Sequence, residues 1–232
     1  MKHVLSQFVT FAAMASFALA AWSCTEFLSL DVSDQSLEIG GPSDSLFTSE
    51  DQLSFWWEAE TEAEAYRFQL VNPSFSNPLT LFDTLLEDVR MDLLLSEGRY
   101  QWRLRAENTA SQSPYQTYHL FVDLTAPDEP MSLFPLAGDT VQLDQAPLEF
   151  RWRATDSPLD GESYPPTTLI TLQVGSQILL DRSPVETGSL DVEPYLSDLA
   201  PGSYKATLTL VAQDLAGQQS PAHEASFTLV IP

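Results

Sequence analysis

Few side chains of this chain are of the types that carry out catalysis. Its histidines are His3, His119 and His223, and it has a single cysteine. The sequence contains no HExxH, no Gly-x-Ser-x-Gly, no phosphate-binding glycine loop and no cysteine cluster for a metal. Carboxylates lie close together at many places, but 33 acidic residues make such proximity expected by chance. The sequence therefore predicts a protein that is not an enzyme, with no catalytic residue and no cofactor.

One aromatic side chain is a candidate for binding. Trp56 lies between Phe55 and Trp57, and successive side chains of a strand point to opposite faces. If Phe55 and Trp57 face a core, Trp56 faces outward, where it could stack on a sugar ring or anchor a protein partner. The alternative is that a neighbouring strand, a long side chain or the other domain covers it.

The acidic segment TDSPLDGESYPPTT, residues 155–168, is a second candidate. Long loops often carry function, and Asp156, Asp160 and Glu162 could offer carboxylate oxygens to calcium. Their spacing fits no calcium-binding motif, which favours a solvated acidic loop without a metal. These three acids and Trp56 are the candidate contacts for a ligand or a partner.

The segment RYQWRLRAEN, residues 99–108, combines three arginines with two aromatic residues. Such a mixture can form a nucleic-acid surface, where cations hold phosphates and rings stack on bases. However, Tyr100, Trp102, Leu104 and Ala106 alternate with polar residues, and a period of two defines a strand with one buried face. The formal charge of −23 would also repel nucleic acid. We therefore predict an amphipathic strand and no nucleic-acid partner.

Three segments of the first half of the chain recur in the same order in the second half. The offset grows from 95 residues at the first match to 106 at the last, so insertions separate the matches. Ordered matches at a drifting offset indicate a duplicated domain. The matched pairs are LSFWWEAE (53–60) with LEFRWRAT (148–155), LSEGRY (95–100) with LAPGSY (199–204), and AENTASQSP (106–114) with AQDLAGQQSP (212–221).

Short alternating runs separated by Gly, Pro, Asn and Ser clusters are typical of a β-sandwich. The segment 70–90 carries apolar residues among turn residues, and it is predicted to form an irregular side of the first sandwich rather than a hydrophobic docking ridge. Further strands are predicted at 53–59, 65–71, 89–95, 117–124, 148–154, 168–174, 177–181 and 225–231.

The order Leu-x-Phe-x-Trp, a tyrosine-containing strand, then LxxGxYxWRLRAENxxxxSP resembles the fibronectin type III module. In that family a tryptophan lies on the second strand and a tyrosine sits beside a strand-connecting corner. The resemblance places Trp57 with Trp152, and Tyr100 with Tyr204, at equivalent positions of two copies. A single residue separates the turn glycine from the tyrosine here, where the family usually has two.

The resemblance implies an all-β fold, with two tandem immunoglobulin-like or fibronectin type III-like β-sandwich domains after a signal peptide. The first domain is predicted at 42–124 and the second at 132–232. The segment VDLTAPDEP resembles the joint between bacterial modules of this kind. Its prolines should keep a joint at 125–131 extended and stiff, so that the two domains form an elongated, semi-rigid rod.

The N-terminus predicts export. The apolar run at 8–22 is shorter than the roughly 20 residues of a membrane span, but it suits the core of a signal peptide. The lone Cys24 after it resembles a bacterial lipobox, whose cysteine is lipidated and begins the mature protein. The resemblance implies a lipoprotein signal peptide at 1–23, lipidation of Cys24 and a tether at 24–41. The alternative is cleavage after 18–20, which leaves Cys24 as a free thiol.

These predictions converge on a non-enzymatic, lipid-anchored protein of the cell envelope, an outer-membrane lipoprotein that serves in binding, adhesion, assembly or spacing. Its partners are expected to be the membrane, through the N-terminal lipid, and another envelope protein or a glycan. The alternative function is a glycan-binding lipoprotein of an outer-membrane nutrient-uptake system. Whether it faces the periplasm or the cell surface stays open.

Overall fold

A computed structural model describes residues 31–143 and 147–232 of the chain. The predicted signal peptide, Cys24 and residues 24–30 of the predicted tether lie outside the described residues. Within them the chain is almost entirely β-structure, arranged as two sandwiches that follow one another along the sequence. We call them module 1 and module 2.

Module 1 contains eight strands in two sheets. They are β1 (Ile39–Gly41), β2 (Leu46–Thr48), β3 (Gln52–Trp57), β4 (Ala65–Ser74), β5 (Asn77–Leu86), β6 (Arg90–Leu94), β7 (Gly98–Glu107) and β8 (Gln116–Val122). The smaller sheet has the order β1-β3-β6, and the larger sheet has the order β2-β8-β7-β4-β5. Neighbouring strands are antiparallel, except that β2 runs parallel to β8.

Module 2 repeats this arrangement strand for strand. Its strands are β9 (Met131–Phe134), β10 (Thr140–Gln142), β11 (Glu149–Arg153), β12 (Thr167–Val174), β13 (Gln177–Val185), β14 (Ser189–Asp191), β15 (Gly202–Gln213) and β16 (His223–Ile231). The sheets have the orders β14-β11-β9 and β10-β16-β15-β12-β13, and β10 is parallel to β16. The predicted fold class, two tandem fibronectin type III-like sandwiches, is confirmed. The short helix α1 (Glu193–Leu196) follows β14, and no helix in the described ranges is long and apolar enough to cross a bilayer.

Each module has its own hydrophobic core. Trp57 on β3 and Trp152 on β11 are only 2% and 3% exposed, at equivalent places in the two cores. The hydroxyl of Tyr100 donates to the Ser96 carbonyl at 2.8 Å, and that of Tyr204 donates to the Ala200 carbonyl at 2.7 Å. Each tyrosine thereby closes a corner onto the residue four positions earlier, so both predicted pairs occupy equivalent positions.

Strand β7 has the alternation that the sequence predicts. Tyr100, Trp102, Leu104 and Ala106 are buried, whereas the residues between them are partly exposed. Burial of one face stabilises the strand because apolar surface leaves water. The prediction that RYQWRLRAEN is an amphipathic strand is confirmed.

The segment 70–90 departs from the prediction, because β4 and β5 form a long hairpin there with a single register shift. Its end pairs Pro73 with Pro78, and prolines normally weaken a strand prediction. The register also shifts between Leu70 and Val71, which marks a bulge that changes which residues face the core. The prolines and the bulge together hide the period of two, so the prediction of an irregular segment was wrong.

The chain packs onto module 1 before residue 42. Val32 is fully buried, and its N–H donates to Ser111 Oγ at 2.8 Å. Leu37 is buried as well, and β1 occupies the last residues of the segment 24–41, which the sequence predicts as a tether. Apolar side chains thus attach the end of this segment to the core.

Candidate functional site

Trp56 lies on the outer face of the smaller sheet of module 1, as the alternation predicts. It is 42% exposed, while Phe55 and Trp57 are buried. Its indole lies across the backbone of Gly40 and Gly41 in the neighbouring β1, and a Cβ atom at Gly40 would overlap the ring. Glycine is needed there because any side chain would displace the indole. The neighbouring strand covers part of the ring and leaves the rest open.

The insertion at 155–168 lies at the joint, because it connects β11 to β12 at the end of module 2 that the chain enters. Asp160 Oδ2 accepts a hydrogen bond from the Arg99 backbone N–H at 2.6 Å and one from the Asn72 side-chain amide at 3.2 Å. Glu162 forms an ion pair with the Arg99 guanidinium at 3.2 Å. Two of the three acids that the sequence singles out therefore contact module 1.

A tight turn presents these two acids. Leu159 and Glu162 exchange backbone hydrogen bonds of 2.9 and 3.0 Å. Asp160 and Gly161 between them have φ values of 49° and 81°. Positive φ at both central residues defines the type I′ hairpin turn, which Asp-Gly favours because glycine and aspartate tolerate that backbone conformation. The dipeptide in LDGE is the local signal that could have predicted this turn.

Tyr164 of the same insertion adds an aromatic contact to module 1. Its ring meets the rings of Phe47 and Phe121 edge-on, with centroids 5.2 and 5.9 Å away. Phe47 and Phe121 lie on the parallel strands β2 and β8 and stack on each other at 4.2 Å. Edge-to-face contacts of this kind are favourable beyond the area they bury. The insertion is therefore attached to module 1 by polar and aromatic contacts together.

Asp156 belongs to a different group. Its carboxylate approaches those of Asp123, at the end of module 1, and Asp214, in the turn between β15 and β16; one oxygen of each lies within 4.8 Å of the others. Asp214 is 8% exposed and accepts a hydrogen bond from the Gln218 N–H at 2.8 Å. The Gln218 side chain also donates to the Asp123 carbonyl at 2.9 Å. The bond from Gln218 to Asp123 therefore joins the two modules at a second place, beside this acidic cluster.

The cluster is electrostatically unfavourable when ionised. Burial raises the pKa of Asp156 to about 6, and the charges of Asp123, Asp214 and Asp128 add to the rise. Burial also raises the pKa of Asp123, with contributions from Asp214 and Glu97. Carboxylates brought together out of water repel one another, which favours the protonated form.

Carboxylate oxygens are the ligands of hard divalent cations, so Asp123, Asp156 and Asp214 are the described residues that could hold one. The structure does not bring Asp156 together with Asp160 and Glu162, whose carboxylates face Arg99 instead. The interpretation of the insertion as an acidic loop without a metal stays a prediction.

The outer face of the larger sheet of module 1 carries a polar arrangement that sequence reasoning missed. Arg103 Cζ lies 4.1 Å from the ring centroids of both Phe75 and Tyr115. Arg103 Nε donates to Gln69 Oε1 at 2.6 Å. Arg105 Cζ lies 4.5 Å from the Tyr115 ring centroid. The alternation shows that these arginines face outward, but the rings come from loops that the alternation does not describe.

Both histidines of the modules pair with carboxylates. His119 Nδ1 lies 3.2 Å from Asp44 Oδ1, and its Nε2 lies 2.8 Å from the Gln101 side-chain amide. His223 Nδ1 lies 3.2 Å from Glu129 Oε1. A base that activates a nucleophile must bond to a hydroxyl or thiol. In the described part of the chain, neither imidazole is bonded to one.

Comparison with known proteins finds no matching family model and no matching curated protein. Both modules are fibronectin type III-like. Solved structures similar to the chain include the fibronectin(III)-like modules of Clostridium thermocellum CbhA, with 9% identity, a TM-score of 0.43 and coverage of 84% of this chain and 95% of that one. The FN1–FN3 domains of chicken CNTN1 give 15% identity, a TM-score of 0.46 and coverage of 86% and 67%. A two-domain fibronectin type III segment of chicken tenascin has 16% identity and a TM-score of 0.31, with coverage of 83% of this chain and 97% of that one.

Proposed function

We propose that the protein is a non-enzymatic, lipid-anchored element of a bacterial cell envelope, which binds a partner and holds it at a set distance from the membrane. In this proposal the lipid is carried by Cys24, and the two modules form the spacer. The observation that supports the spacer role is the attachment of the insertion 155–168 to module 1.

The contacts at the joint favour a fixed arrangement over a free hinge. Asp160 and Glu162 hold the backbone and side chain of Arg99, and Tyr164 packs against Phe47 and Phe121. A hydrogen bond contributes about 1 kcal/mol to stability, and several bonds that cross one joint act together. A pair of modules joined only by a flexible linker would have no such contacts.

The anchor is tested by cell fractionation and intact-mass analysis of the membrane-purified protein. The expected mature protein begins at a lipidated Cys24, and Cys24→Ala moves the protein out of the detergent phase. A mature protein that starts before Cys24 and carries no lipid would contradict the anchor.

The spacer role is tested by small-angle scattering on the Cys24→Ala protein after signal-peptide removal. An elongated particle of maximum dimension near twice the length of one module is expected. A compact particle, with the modules folded back over a large shared interface, would contradict the spacer and leave the anchor result unaffected.

Glycan binding is a second candidate function, favoured by Trp56. A ring supported by glycine backbone and 42% exposed is suited to stack on a sugar. A screen of oligosaccharides against the wild type and Trp56→Ala tests this function. Binding that Trp56→Ala abolishes would support it, and the absence of binding to any oligosaccharide would count against it.

A further inference from the structure

The outer face of the larger sheet of module 1 gathers four arginines in a chain with 33 acidic and 10 basic residues. Arg67 on β4 and Arg99, Arg103 and Arg105 on β7 all point away from the core, since the residues between them are buried. Carboxylates neutralise three of the four. The ion pairs are Arg67 with Asp83 at 2.5 Å, Arg99 with Glu162 at 3.2 Å, and Arg105 with Glu107 at 2.7 Å.

Arg103 is the exception among the arginines of module 1. In the described residues no carboxylate oxygen lies within 4.0 Å of it, although Arg67, Arg90, Arg99 and Arg105 each have one. Its guanidinium is nevertheless held in place by two rings and by the bond from its Nε to Gln69. The terminal nitrogens have no protein partner among the described residues.

We propose that Arg103 anchors a docking site for a carboxylate side chain on an extended segment of a partner protein. The inference rests on the proposed binding role, and it is independent of the lipid anchor. The guanidinium is planar and presents parallel N–H donors that match the two oxygens of a carboxylate. Phe75 and Tyr115 fix its plane and displace water from it, so little freedom is left to lose when an anion binds.

The geometry of the face fits a polypeptide. Outward side chains of β7 recur every second residue, about 6.8 Å apart, which is also the repeat of an extended peptide. Arg99, Gln101, Arg103 and Arg105 form this row, and among the described residues Arg103 is its one arginine without an ion pair. The rings of Phe75 and Tyr115 already stack on guanidinium groups, so a sugar would find those ring surfaces occupied.

The charge of the whole chain limits how acidic the partner can be. The formal net charge of −23 repels a polyanion at long range. A segment with one or two carboxylates among neutral residues reaches the charge of Arg103 against much less of that repulsion. Specificity then comes from placement of a single carboxylate.

The test uses the full chain in detergent micelles and the blocked peptide acetyl-Thr-Glu-Thr-Glu-Thr-amide as the probe. Arginine Nε–Hε signals in NMR spectra report each guanidinium. We expect the Arg103 signal to shift with the Glu peptide and not with the same peptide carrying Gln. Arg103→Gln and Arg103→Lys should each weaken binding about tenfold, since a charge-assisted bidentate bond is lost.

Arg90→Gln is the matched control, because Arg90 lies on the opposite sheet and pairs with Asp92. An equal loss of binding in Arg90→Gln would show a nonspecific charge effect and overturn the proposal. So would an Arg103 signal that does not move with the Glu peptide. Tighter binding of oligogalacturonate than of the peptide would assign the site to a glycan. If both Arg103 variants unfold, the test rests on the wild type, where the Arg103 Nε–Hε signal should shift with the Glu peptide and not with the Gln peptide.

Discussion

The corresponding strands β7 and β15 share a buried face and differ in their exposed face. Tyr100 and Tyr204 begin the buried rows and close equivalent corners. The outer row of β7 is Arg99, Gln101, Arg103 and Arg105, whereas that of β15 is Ser203, Lys205, Thr207 and Thr209. The outer row makes no contribution to the core, so each copy can carry different residues there. The difference gives module 1 three arginines in this outer row and module 2 a single lysine, Lys205.

The turns after these strands show a second difference. In both turns a buried serine, Ser113 or Ser220, accepts a backbone N–H at 2.9 Å through its hydroxyl. Asn108 in module 1 is replaced by Asp214 in module 2, as the matched segments show. Module 1 thus has a neutral amide where module 2 has a carboxylate close to Asp123 and Asp156. One substitution between the copies therefore accounts for part of the acidic cluster.

The largest expected effect is on the core tryptophans. Trp57→Ala and Trp152→Ala should each cost about 3–5 kcal/mol of unfolding free energy, mainly in its own module. Urea denaturation followed by residue-specific hydrogen exchange measures both. Unfolding of both modules by either variant would show that the cores are not independent.

Replacement by phenylalanine should cost a different amount of unfolding free energy at each of the two tryptophans. Trp152 Nε1 donates to Thr168 Oγ1 at 2.9 Å, whereas the buried Trp57 Nε1 has no hydrogen-bond partner among the described residues. Trp152→Phe leaves the Thr168 hydroxyl unpaired, and Trp57→Phe removes an unsatisfied donor. We expect Trp57→Phe to cost about 1 kcal/mol less than Trp152→Phe. Equal costs would mean that water satisfies the Trp57 indole.

The next largest effect on stability is expected from substitution of Gly40, over which the Trp56 indole lies. Gly40→Ala places a methyl group where the indole lies, and overpacking of this kind costs about 1–3 kcal/mol. The same substitution in a Trp56→Ala background should cost nearly nothing, because the obstruction is gone. Thermal unfolding of the wild type, the two single variants and the double variant measures the coupling. A cost that persists without the indole would assign it to the backbone instead.

The insertion should govern the joint more than the stability of either module. Asp160→Ala, Glu162→Ala and Tyr164→Ala together remove the contacts of the insertion with Arg99, Phe47 and Phe121. We expect the two modules to reorient independently in NMR relaxation while each keeps its unfolding midpoint. Asp181→Ala, on the exposed edge strand β13, is the control. A joint that stays rigid in the triple variant would place its stiffness in the proline-containing linker or in the bond from Gln218 to Asp123.

The smallest expected effect is the pH dependence of the acidic cluster. Because the pKa of Asp156 is raised from 3.8 to about 6, the folded protein binds this proton more tightly than the unfolded chain. The stability that protonated Asp156 contributes is complete below the pKa of this group in the unfolded chain. It is lost as the pH rises through about 6, the pKa of Asp156 in the folded protein.

Asp156→Asn cannot ionise and should raise the melting temperature at pH 7 by about 2–4 °C, or about 1 kcal/mol after allowance for solvent screening. The gain should vanish near pH 4. Asp214→Asn, which restores the residue type of Asn108, should act in the same direction. The exposed Asp198→Asn removes an equal charge elsewhere and should change nothing. A gain that is independent of pH would exclude charge repulsion as the cause.

The sequence predicts the parts of this molecule that repeat or alternate. The Leu-x-Phe-x-Trp segments, the corner tyrosines and the period of β7 each report burial of one strand face, which is a local property. The hairpin of β4 and β5 escaped prediction because prolines and a bulge interrupt its period. The contacts of Asp160 with Arg99, and the approach of Asp156 to Asp123, bring together residues of different modules. Their proximity depends on how module 2 follows module 1, which local patterns do not encode.

The parallel pairing of β2 with β8, and of β10 with β16, has a mechanical consequence. In each module the first strand of the larger sheet and the last strand of the module point the same way and are joined through three residue pairs. Tension applied to the two ends of a module pulls these strands past each other in opposite directions. The hydrogen bonds between them then bear the load together, whereas an antiparallel hairpin pulled at its open end would unzip one bond at a time. Force spectroscopy from the two termini should therefore require more force than pulling β4 from β5.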